Sequence, residues 1–457
     1  MIVRFSVENF KSFCDKQELT MIPAKKIKKK KEHVVLFDKV SLLRSATIYG
    51  ANASGKSNLI EAMKFAKYVI TNRVPQQASK MYCRVAPDGQ DKDSTFEFEI
   101  LKNNIFYAYG FSINLFDRVI KSEWLYELVP GKDMQHMLFE RETELKRIEL
   151  GDRVELDEID RMKFKTYTLD FEDNNSGLFL KEMNRNKKIK SGSSLAFFKD
   201  VFEWFEEDLV TISADQIITD FEYFYGDDGN QRINQIIDLF DTGISKVKIE
   251  EISLPDLKSK LPGKLLEEVI SAFTKKSEDP DHENVRMSIR TKNAFYNIKG
   301  VSGEEPIITT IMLEHGVQSL SDFEFDEESD GTRRLFDLMD ILISNKKNKV
   351  YVIDELERSL HPKLTYKFIE LFFEVLKNNH TQLIFTTHES TIMDQDLLRR
   401  DEIWFVERNK DNISHLYSLD RFKERYDKKL SKNYLDGRYG AIPVLNSFSF
   451  SENGEIE

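Results

Sequence analysis

Apolar and polar residues alternate from the first residues of the chain onward. Residues 1–10, MIVRFSVENF, place apolar side chains at the spacing of a strand with one buried face. The same alternation recurs in Ser94–Ile100, Ile105–Ile113 and Val119–Leu128, which predicts successive strands. The first stretch of the chain, to about residue 130, is therefore predicted to be rich in strands.

The pattern changes twice further along the chain. Roughly residues 131–300 are mixed, and charged segments with helical spacing, such as Leu195–Leu209 and Asn230–Leu239, alternate with polar breaks. From about residue 301 onward, strand and helix patterns alternate. The sequence shows no internal repeat and no long heptad run, which argues against an extended coiled coil. The predicted fold class is α/β.

A glycine-rich turn between a predicted strand and a predicted helix matches the P-loop pattern G-x-x-x-x-G-K-[ST]. It occupies residues 50–57, after the β-rich Thr47–Tyr49 and before the helical Asn58–Met63. Glycines let the backbone wrap a phosphate, and N–H groups at the helix start face the anion. We predict ATP binding by the following residues: Gly50, Ala51, Asn52, Ala53, Ser54, Gly55, Lys56, Ser57 and Asn58.

Two carboxylates follow a short apolar run late in the chain. Val350–Ile353 predicts a buried parallel strand, and Asp354 and Glu355 come directly after it. Two acids that merely end a strand are common, but the P-loop favours a catalytic interpretation. Asp354 is then predicted to hold Mg²⁺ together with the hydroxyl of Ser57, and Glu355 to polarise the attacking water.

About 300 residues separate the P-loop lysine from this acidic pair, which is far more than a compact P-loop domain needs. We therefore predict a split ATPase head. Residues 1–130 form its first half, residues 131–300 form an inserted mixed lobe that serves partner binding or oligomerisation, and residues 301–457 form its second half.

Four motifs in order resemble those of SMC/RecF-like ABC ATPases. The P-loop stretch Asn52–Asn58 is the first, and Ser329–Thr332 resembles the ABC signature ahead of a helix. Leu356–Pro362 is similar to the segment that contains the D-loop, and Thr386–His388 resembles the switch-histidine motif. The resemblance implies a head split around an insertion and hydrolysis of Mg-ATP.

The resemblance also implies a composite site shared by two subunits. A helix N-terminus with a serine cap and a glycine is an anion-binding end, so Ser329 and Gly331 are expected to meet the ATP of a second copy. The implied active unit is a homo-oligomer. His388 either contacts the γ-phosphate or is an ordinary satisfied histidine, and the resemblance favours the catalytic role.

A narrower resemblance lies in four further segments. Residues 1–13, Glu123–Leu128 (EWLYEL), Asp354–Pro362 (DELERSLHP) and Gly437–Pro443 (GRYGAIP) are similar to stand-alone ATPases of bacterial anti-phage loci. These include AriA of the PARIS system and RloA-type proteins, with OLD-family nucleases as more distant relatives. OLD proteins carry a C-terminal Toprim nuclease domain, and too few residues follow His388 to build one. The resemblance implies that a nuclease or toxin effector is a separate protein.

The net charge of the chain bears on which partners it can bind. The 67 basic and 79 acidic side chains sum to −12, which argues against a surface built throughout for nucleic acid. A local basic segment, Lys25–Lys31 (KKIKKKK), is either a solvated loop or a contact for nucleic acid or an acidic partner. The function that the resemblance implies is that of the sensor or scaffold subunit of an anti-phage defence system. The alternative is a RecF/SMC-like repair or recombination ATPase that binds DNA directly. A transporter subunit is disfavoured, because the predicted insertion is too large.

The cysteines, the apolar runs and a few single residues give further expectations. Cys14 and Cys83 are too few for a disulfide framework or a zinc site, and we expect ordinary thiols. No apolar run approaches about 18 residues and the N-terminus is not a signal peptide, so we expect a cytoplasmic protein without a membrane segment. A Q-loop is not evident, and Gln76 and Gln77 are candidates by position only. Two arginines of the signature helix, Arg333 and Arg334, either reach phosphate or lie on a solvated face.

Overall fold

The computed structural model describes most of the chain and divides it into two compact units. The first unit contains Met1–Ser213, Lys347–Leu356 and Asn378–Glu457, and the second contains Ala214–Lys346 and Glu357–Lys377. The described residues are 1–185, 189, 192–214, 216, 227–261, 263–264, 266–267, 270–271, 285–290, 295–300, 306–316, 322–343, 346–422 and 429–443.

The strands are numbered here in chain order. They are β1 (Ile2–Glu8), β2 (Gln17–Thr20), β3 (Val34–Phe37), β4 (Val40–Leu43), β5 (Ser45–Tyr49), β6 (Ser94–Lys102), β7 (Ile105–Asn114), β8 (Val119–Leu128), β9 (Gln135–Glu142), β10 (Arg147–Leu150), β11 (Leu209–Ile212), β12 (Ile244–Ile252), β13 (Val285–Arg290), β14 (Phe295–Gly300), β15 (Ile307–His315), β16 (Phe323–Glu324), β17 (Val350–Ile353), β18 (Gln382–Thr386), β19 (Ile403–Arg408) and β20 (Ser414–Ser418).

The α-helices of the described residues are numbered in the same way. They are α1 (Lys56–Thr71), α2 (Glu158–Phe171), α3 (Phe179–Asn184), α4 (Ala196–Glu203), α5 (Asp227–Ile237), α6 (Leu254–Lys260), α7 (Asp330–Ile343), α8 (Pro362–Val375) and α9 (Leu430–Leu435). None of these helices is both long and apolar enough to cross a membrane.

A largely parallel sheet of the first unit carries the predicted nucleotide motifs. Its strand order is β11-β17-β18-β5-β19-β20, and only the β19–β20 pair is antiparallel. All residues of β5, β17 and β18 are buried, as expected for a parallel sheet covered on both faces. Strands from distant parts of the chain therefore pair side by side, and the prediction of a split α/β head is confirmed.

An antiparallel sheet packs in the same unit. Its order is β10-β9-β8-β7-β6-β1-β2, and the predicted strands of the first 130 residues are confirmed as β1, β6, β7 and β8. Alternate residues of β6 are buried, and Phe96 and Phe98 belong to a core shared with Ile48 of β5 and Val352 of β17. This shared core holds the two sheets of the first unit together.

One buried glutamine connects the two sheets through its side chain. Gln382, the first residue of β18, accepts a hydrogen bond from the Ile2 N–H at 2.7 Å and donates to the carbonyl oxygens of Ile2 and Leu43 at 3.0 and 2.8 Å. Its side chain is completely buried, so these bonds replace bonds to water. The N-terminal strand is thereby attached to the strand that follows the acidic pair.

The unit boundaries do not coincide with the predicted ones at about residues 130 and 300. Strand β9 begins at Gln135 and pairs with β8, so the antiparallel sheet continues past residue 130. Beyond it, Phe179 stacks on Phe139 and Phe198 meets Phe139 edge to face, in the same core. The three-part division of the chain stays a prediction, whereas the two compact units of the structure meet in sequence after Ser213 and after Lys346.

The second unit has its own small core and an antiparallel sheet. The sheet order is β12-β15-β14-β13, and β16 pairs with β15. Ile289, Ile298 and Ile308 of this sheet pack with Leu257 of α6. Helix α7, which follows the predicted signature, also belongs to this unit.

The prediction of two ordinary thiols is wrong in this structure. Cys14 and Cys83 form a disulfide, with Cα atoms 5.2 Å apart across 69 residues of sequence. Asn9, which lies five residues before Cys14, attaches its segment to the segment that contains Cys83. Its side chain accepts from the Cys83 N–H at 3.0 Å and donates to the Gly89 carbonyl at 2.8 Å. Two cysteines so far apart in sequence give no sign of this pairing.

Candidate active site

The predicted P-loop joins the carboxyl end of β5 to the start of α1. Gly50 and Gly55 are required there for different reasons. A Cβ at Gly50 would lie 2.4 Å from the Val406 carbonyl oxygen, so the turn leaves no room for a side chain. Gly55 has a φ of 109° and also faces the Ser414 and Ser12 hydroxyls, so both its backbone and its surroundings favour glycine.

The side chain of Lys56 is held inside the turn. Its ammonium group donates to the carbonyl oxygens of Gly50 at 2.8 Å and Ala51 at 3.1 Å, and the residue is 5% exposed. A lysine held against the loop carries its charge at the place where a bound nucleotide would put its β- and γ-phosphates. Asn52 and Ala53 form the exposed crest of the loop, whereas Ser54 is buried.

The two halves of the predicted site meet at one carboxylate oxygen. The Ser57 hydroxyl donates to Asp354 Oδ1 at 3.1 Å, although 297 residues separate the two side chains. The Thr386 hydroxyl donates to the same oxygen at 2.6 Å. Asp354 ends β17, Thr386 ends β18, and Ser57 follows β5, so neighbouring parallel strands deliver all three groups to one edge of the sheet.

Glu355 has an unusual backbone. Its φ is 50°, in the left-handed region that a non-glycine residue seldom adopts. Its N–H donates to the Thr386 hydroxyl at 2.8 Å, which holds the residue in that conformation. Backbone strain of this kind is maintained by its surroundings and is concentrated at functional sites. The side chain is half-buried beside Asp354.

The donor set fits Mg²⁺. A serine hydroxyl and a carboxylate are hard oxygen ligands, and Mg²⁺ usually takes one or two protein groups together with phosphates and water. No group of three or more His, Cys, Asp or Glu that could hold a metal occurs in the described part of the chain. The arrangement of Ser57 and Asp354 therefore suits a cation that arrives with a nucleotide.

The P-loop is also supported by residues that the sequence did not indicate. Asn58, predicted to bind nucleotide, donates through its amide to the Ser12 hydroxyl at 2.7 Å. The Ser414 hydroxyl donates to the Ser54 carbonyl at 2.6 Å, and the Ser414 N–H donates to the Ser12 carbonyl at 2.8 Å. Ser12 and Ser414 lie near opposite ends of the chain, so no local pattern could have identified them.

Thr386 is the most informative residue that sequence reasoning left without a role. The motif Thr386–His388 was singled out for its histidine, yet the threonine hydroxyl is the group that contacts both residues of the pair, because it donates to the Asp354 carboxylate and accepts from the Glu355 N–H. His388 lies two residues beyond β18, at the same edge of the sheet, and is exposed. Its catalytic role stays a prediction. Gln76 and Gln77 lie exposed on the 3₁₀ turn Gln76–Lys80, and their role also stays untested.

The predicted signature residues begin helix α7 in the second unit. The Ser329 hydroxyl accepts from the Thr332 N–H at 3.0 Å, which is the N-cap that the sequence predicted. A Cβ at Gly331 would lie 2.6 Å from the Ser359 carbonyl oxygen, so glycine allows the helix to approach that segment. Arg333 pairs with Asp330 at 2.7 Å. Arg334 is 7% exposed, so the interpretation as a solvated face is wrong for it.

Comparison with protein families gives one match that covers most of the chain. Residues 45–394 match the family described as "AAA domain, putative AbiEii toxin, Type IV TA system". The match begins at the first residue of β5 and includes the P-loop, the signature segment, the acidic pair and His388. No curated protein shows a significant match to this sequence.

Several solved structures are similar over nearly the whole chain. The SMC head domain from Thermotoga maritima shares 13% identity with a TM-score of 0.40, covering 91% of this chain and 98% of that one. An SMC head bound to the C-terminal winged-helix domain of ScpA shares 14% identity with a TM-score of 0.44, covering 92% and 98%. A third SMC head, with an extended coiled coil and bound to a ScpA domain derived from Pyrococcus furiosus, shares 12% identity with a TM-score of 0.34, covering 96% and 99%.

Removal of the Thr386 hydroxyl tests the contact that Thr386 and Ser57 both make with one oxygen of Asp354. Thr386→Val keeps the shape of the side chain but removes a bond to a charged group, which is worth about 1.5–3 kcal/mol. We expect Mg²⁺-dependent binding of a fluorescent ATP analogue to weaken by about 10- to 100-fold. Titrations of the protein with the analogue, in the presence of Mg²⁺ and in the presence of EDTA, measure this change in affinity.

Two variants serve as controls for this measurement. Thr386→Ser retains the hydroxyl and should bind nearly as the wild type does, whereas Thr387→Val makes the same change at a neighbour whose hydroxyl contacts Glu389 instead. Equal losses in Thr386→Val and Thr387→Val, or a loss that persists in EDTA, would show that Thr386 does not act through Asp354.

Proposed function

Because this chain belongs to the family described as "AAA domain, putative AbiEii toxin, Type IV TA system", we propose that it is an Mg²⁺-dependent ATPase of the ABC type that controls a separate effector protein. The observation that supports hydrolysis best is the shared oxygen of Asp354, which the hydroxyls of Ser57 and Thr386 both contact. This contact unites the P-loop with the acidic pair. An aspartate and a glutamate beside a P-loop can hold a metal-bound phosphate and an attacking water close to each other.

Each residue of the site has a distinct part in this proposal. The backbone N–H groups of the P-loop and the Lys56 ammonium bind the phosphates. Ser57 and Asp354 hold Mg²⁺, which neutralises charge on the phosphates when it is bound. Glu355 accepts a hydrogen bond from the attacking water and orients it, while Thr386 holds the backbone of Glu355. His388 contacts the γ-phosphate.

The composite site is the second part of the proposal. Ser329 and Gly331 begin α7, and the start of a helix can bind an anion through the backbone N–H groups of its first turn. We infer that this helix end meets the γ-phosphate of ATP bound to a second copy of the chain. Two copies would then close on two nucleotides, and hydrolysis would require the dimer.

The effector is the third part of the proposal. The matched family is described by a putative toxin and a toxin–antitoxin system, which supports a role in a system of more than one component. The docking surface is proposed within residues 214–300, the part of the predicted middle segment that belongs to the second unit. Strand β12 there is an edge strand among the described residues, and its Ile249 is 38% exposed. The resemblance to anti-phage ATPases makes a nuclease or toxin the expected effector.

The first prediction from this proposal concerns hydrolysis. Glu355→Gln preserves shape but loses the charge that orients water, so turnover should fall by about 100-fold or more while ATP binding is retained. Lys56→Ala should instead weaken nucleotide binding itself. Phosphate release and titration with a fluorescent ATP analogue separate the two effects. Glu370→Gln, on the exposed face of α8, is the matched control. Near-normal turnover in Glu355→Gln would show that Glu355 does not orient the attacking water.

The second prediction concerns the composite site. Ser329→Arg should leave ATP binding intact and abolish hydrolysis, because the long side chain blocks the helix end. Mixing it with Lys56→Ala should restore part of the activity, since each mixed dimer keeps one site with both halves intact. Ser259→Arg, on exposed α6, controls for an added arginine in the same unit. Full activity of Ser329→Arg alone would exclude a composite site.

The third prediction concerns the effector. Expressed alone, the protein should be harmless and should cleave neither DNA nor RNA. Expressed with its neighbouring genes, it should form a stable complex and restrict phage infection, and Lys56→Ala should abolish that protection. Ile249→Asp should disrupt the complex, whereas Ile159→Asp, at an exposed position of α2 in the first unit, should not.

Two results would contradict this third prediction. Toxicity of the isolated chain would make this protein itself the toxin. Nuclease activity that survives in Glu355→Gln would reveal a second active site in the chain.

A further inference from the structure

The basic segment Lys25–Lys31 is a fixed surface of the first unit. Six of its seven residues are lysines, on a protein whose net charge is −12. Lys25, Lys26, Lys28 and Lys31 are exposed, and none of the four makes an ion pair or a side-chain hydrogen bond with the described residues. Their charges therefore face solvent side by side, in a chain that is otherwise rich in acids.

The backbone of this segment is anchored by buried charges, unlike that of an ordinary solvated loop. The Ala24 N–H donates to Asp401 at 2.8 Å. The Arg399 guanidinium donates to the Lys29 carbonyl at 2.6 Å and to the Ile27 carbonyl at 3.3 Å. Ile27, the one apolar residue of the segment, is 8% exposed. The loop is thus attached at its centre and its lysines project from a defined backbone.

The anchoring groups form a buried network of their own. Arg399 binds both carboxylate oxygens of Asp401, at 2.9 and 2.7 Å, and the two residues are 4% and 5% exposed. Next to them, Glu402 hydrogen-bonds His33 at 2.9 Å. Burial lowers the pKa of His33 to about 3, so its ring adds no charge at neutral pH. A buried bidentate ion pair is a costly way to hold a loop, since both charges must leave water.

The lysine segment lies at the opposite edge of the parallel sheet from the P-loop. Residues 399–402 lead directly into β19, which runs parallel to β5. Lys25–Lys31 is attached to these residues at the amino end of β19, whereas the P-loop follows the carboxyl end of β5. Five residues of strand separate the two edges, which is roughly 16 Å. A phosphate group bound by the lysines would therefore not touch the nucleotide site.

We propose that Lys25–Lys31 binds the phosphate backbone of nucleic acid without reading its sequence. Lysine ammonium groups are strongly hydrated point charges that suit phosphates, and the segment AKKIKKKK has neither arginine nor aromatic residues to read base edges or stack on bases. Protein–protein interfaces are depleted in lysine and enriched in arginine and aromatic residues, which disfavours an acidic protein as the partner. An anchored backbone lowers the entropy lost on binding.

This surface does not depend on the proposed ATPase function. A phosphate-binding edge would serve an ATPase that senses invading nucleic acid and equally a repair ATPase. Binding should be modest and strongly dependent on salt, because the rest of the protein repels the same phosphates.

The experiment compares two triple variants of the full-length protein. In the first, Lys25→Gln, Lys26→Gln and Lys28→Gln are combined. The matched control combines Lys165→Gln, Lys246→Gln and Lys377→Gln, three exposed lysines elsewhere, so that both proteins lose the same charge. Fluorescence anisotropy with a labelled 30-base-pair duplex and a labelled 30-nucleotide single strand of mixed sequence gives the affinity from about 50 to 200 mM salt.

Expected outcomes follow from counterion release. The loop variant should bind duplex at least about 10-fold more weakly than wild type, and its slope of log K against log salt should be smaller by about 1 per lysine removed. The control variant should keep the wild-type slope. ATP-analogue binding should be unchanged in both variants, which shows that they are folded.

Three outcomes would overturn the proposal. If the wild-type protein binds neither the duplex nor the single strand at about 50 mM salt, the segment is not a nucleic-acid surface. Equal losses in the two triple variants would show that total charge matters and the loop does not. Binding of labelled polyglutamate through the loop lysines, with no binding of nucleic acid, would assign the surface to an acidic protein instead.

Discussion

Strand β18 lies between the P-loop strand and the acidic strand, and the candidate site depends on this placement. In a parallel sheet, neighbouring strands bring their carboxyl ends to one edge. Here the hydroxyl at the end of β18 binds the carboxylate at the end of β17, and that carboxylate also accepts from Ser57 after β5. The positive φ of Glu355 is held by the same threonine. One strand order thus determines the positions of Asp354, the proposed metal ligand, and of Glu355, the residue proposed to orient water.

The other end of β18 is fixed just as firmly. Gln382 is buried there and hydrogen-bonds the backbone of Ile2 and Leu43. Buried polar groups of this kind must be fully bonded, so the position of β18 is coupled to the N-terminal strand. A loop of that same N-terminal region carries Ser12, which supports Asn58 and faces Gly55. The antiparallel sheet therefore stabilises the geometry of a site that lies on the parallel sheet.

The two edges of the parallel sheet have opposite electrostatic characters. At the carboxyl edge, Asp354 and Glu355 face a P-loop with one held lysine, which suits a nucleotide that arrives with its own cation. At the amino edge, a lysine segment is attached to a buried arginine–aspartate pair. The strands between the two edges are short and fully buried.

Local sequence was enough to predict the chemistry of the site. Gly50, Gly55, Lys56 and Ser57 are close in sequence, and their types follow from phosphate and metal binding, so the P-loop could be recognised without a fold. The pair Asp354 and Glu355 could be recognised from the apolar strand before it. Packing alone decided the rest, because Thr386, Ser12 and Ser414 act through contacts that span up to about 400 residues of sequence. The Cys14–Cys83 bond was missed for the same physical reason. Residues far apart in sequence are brought together only when the sheets pair and bury a common core.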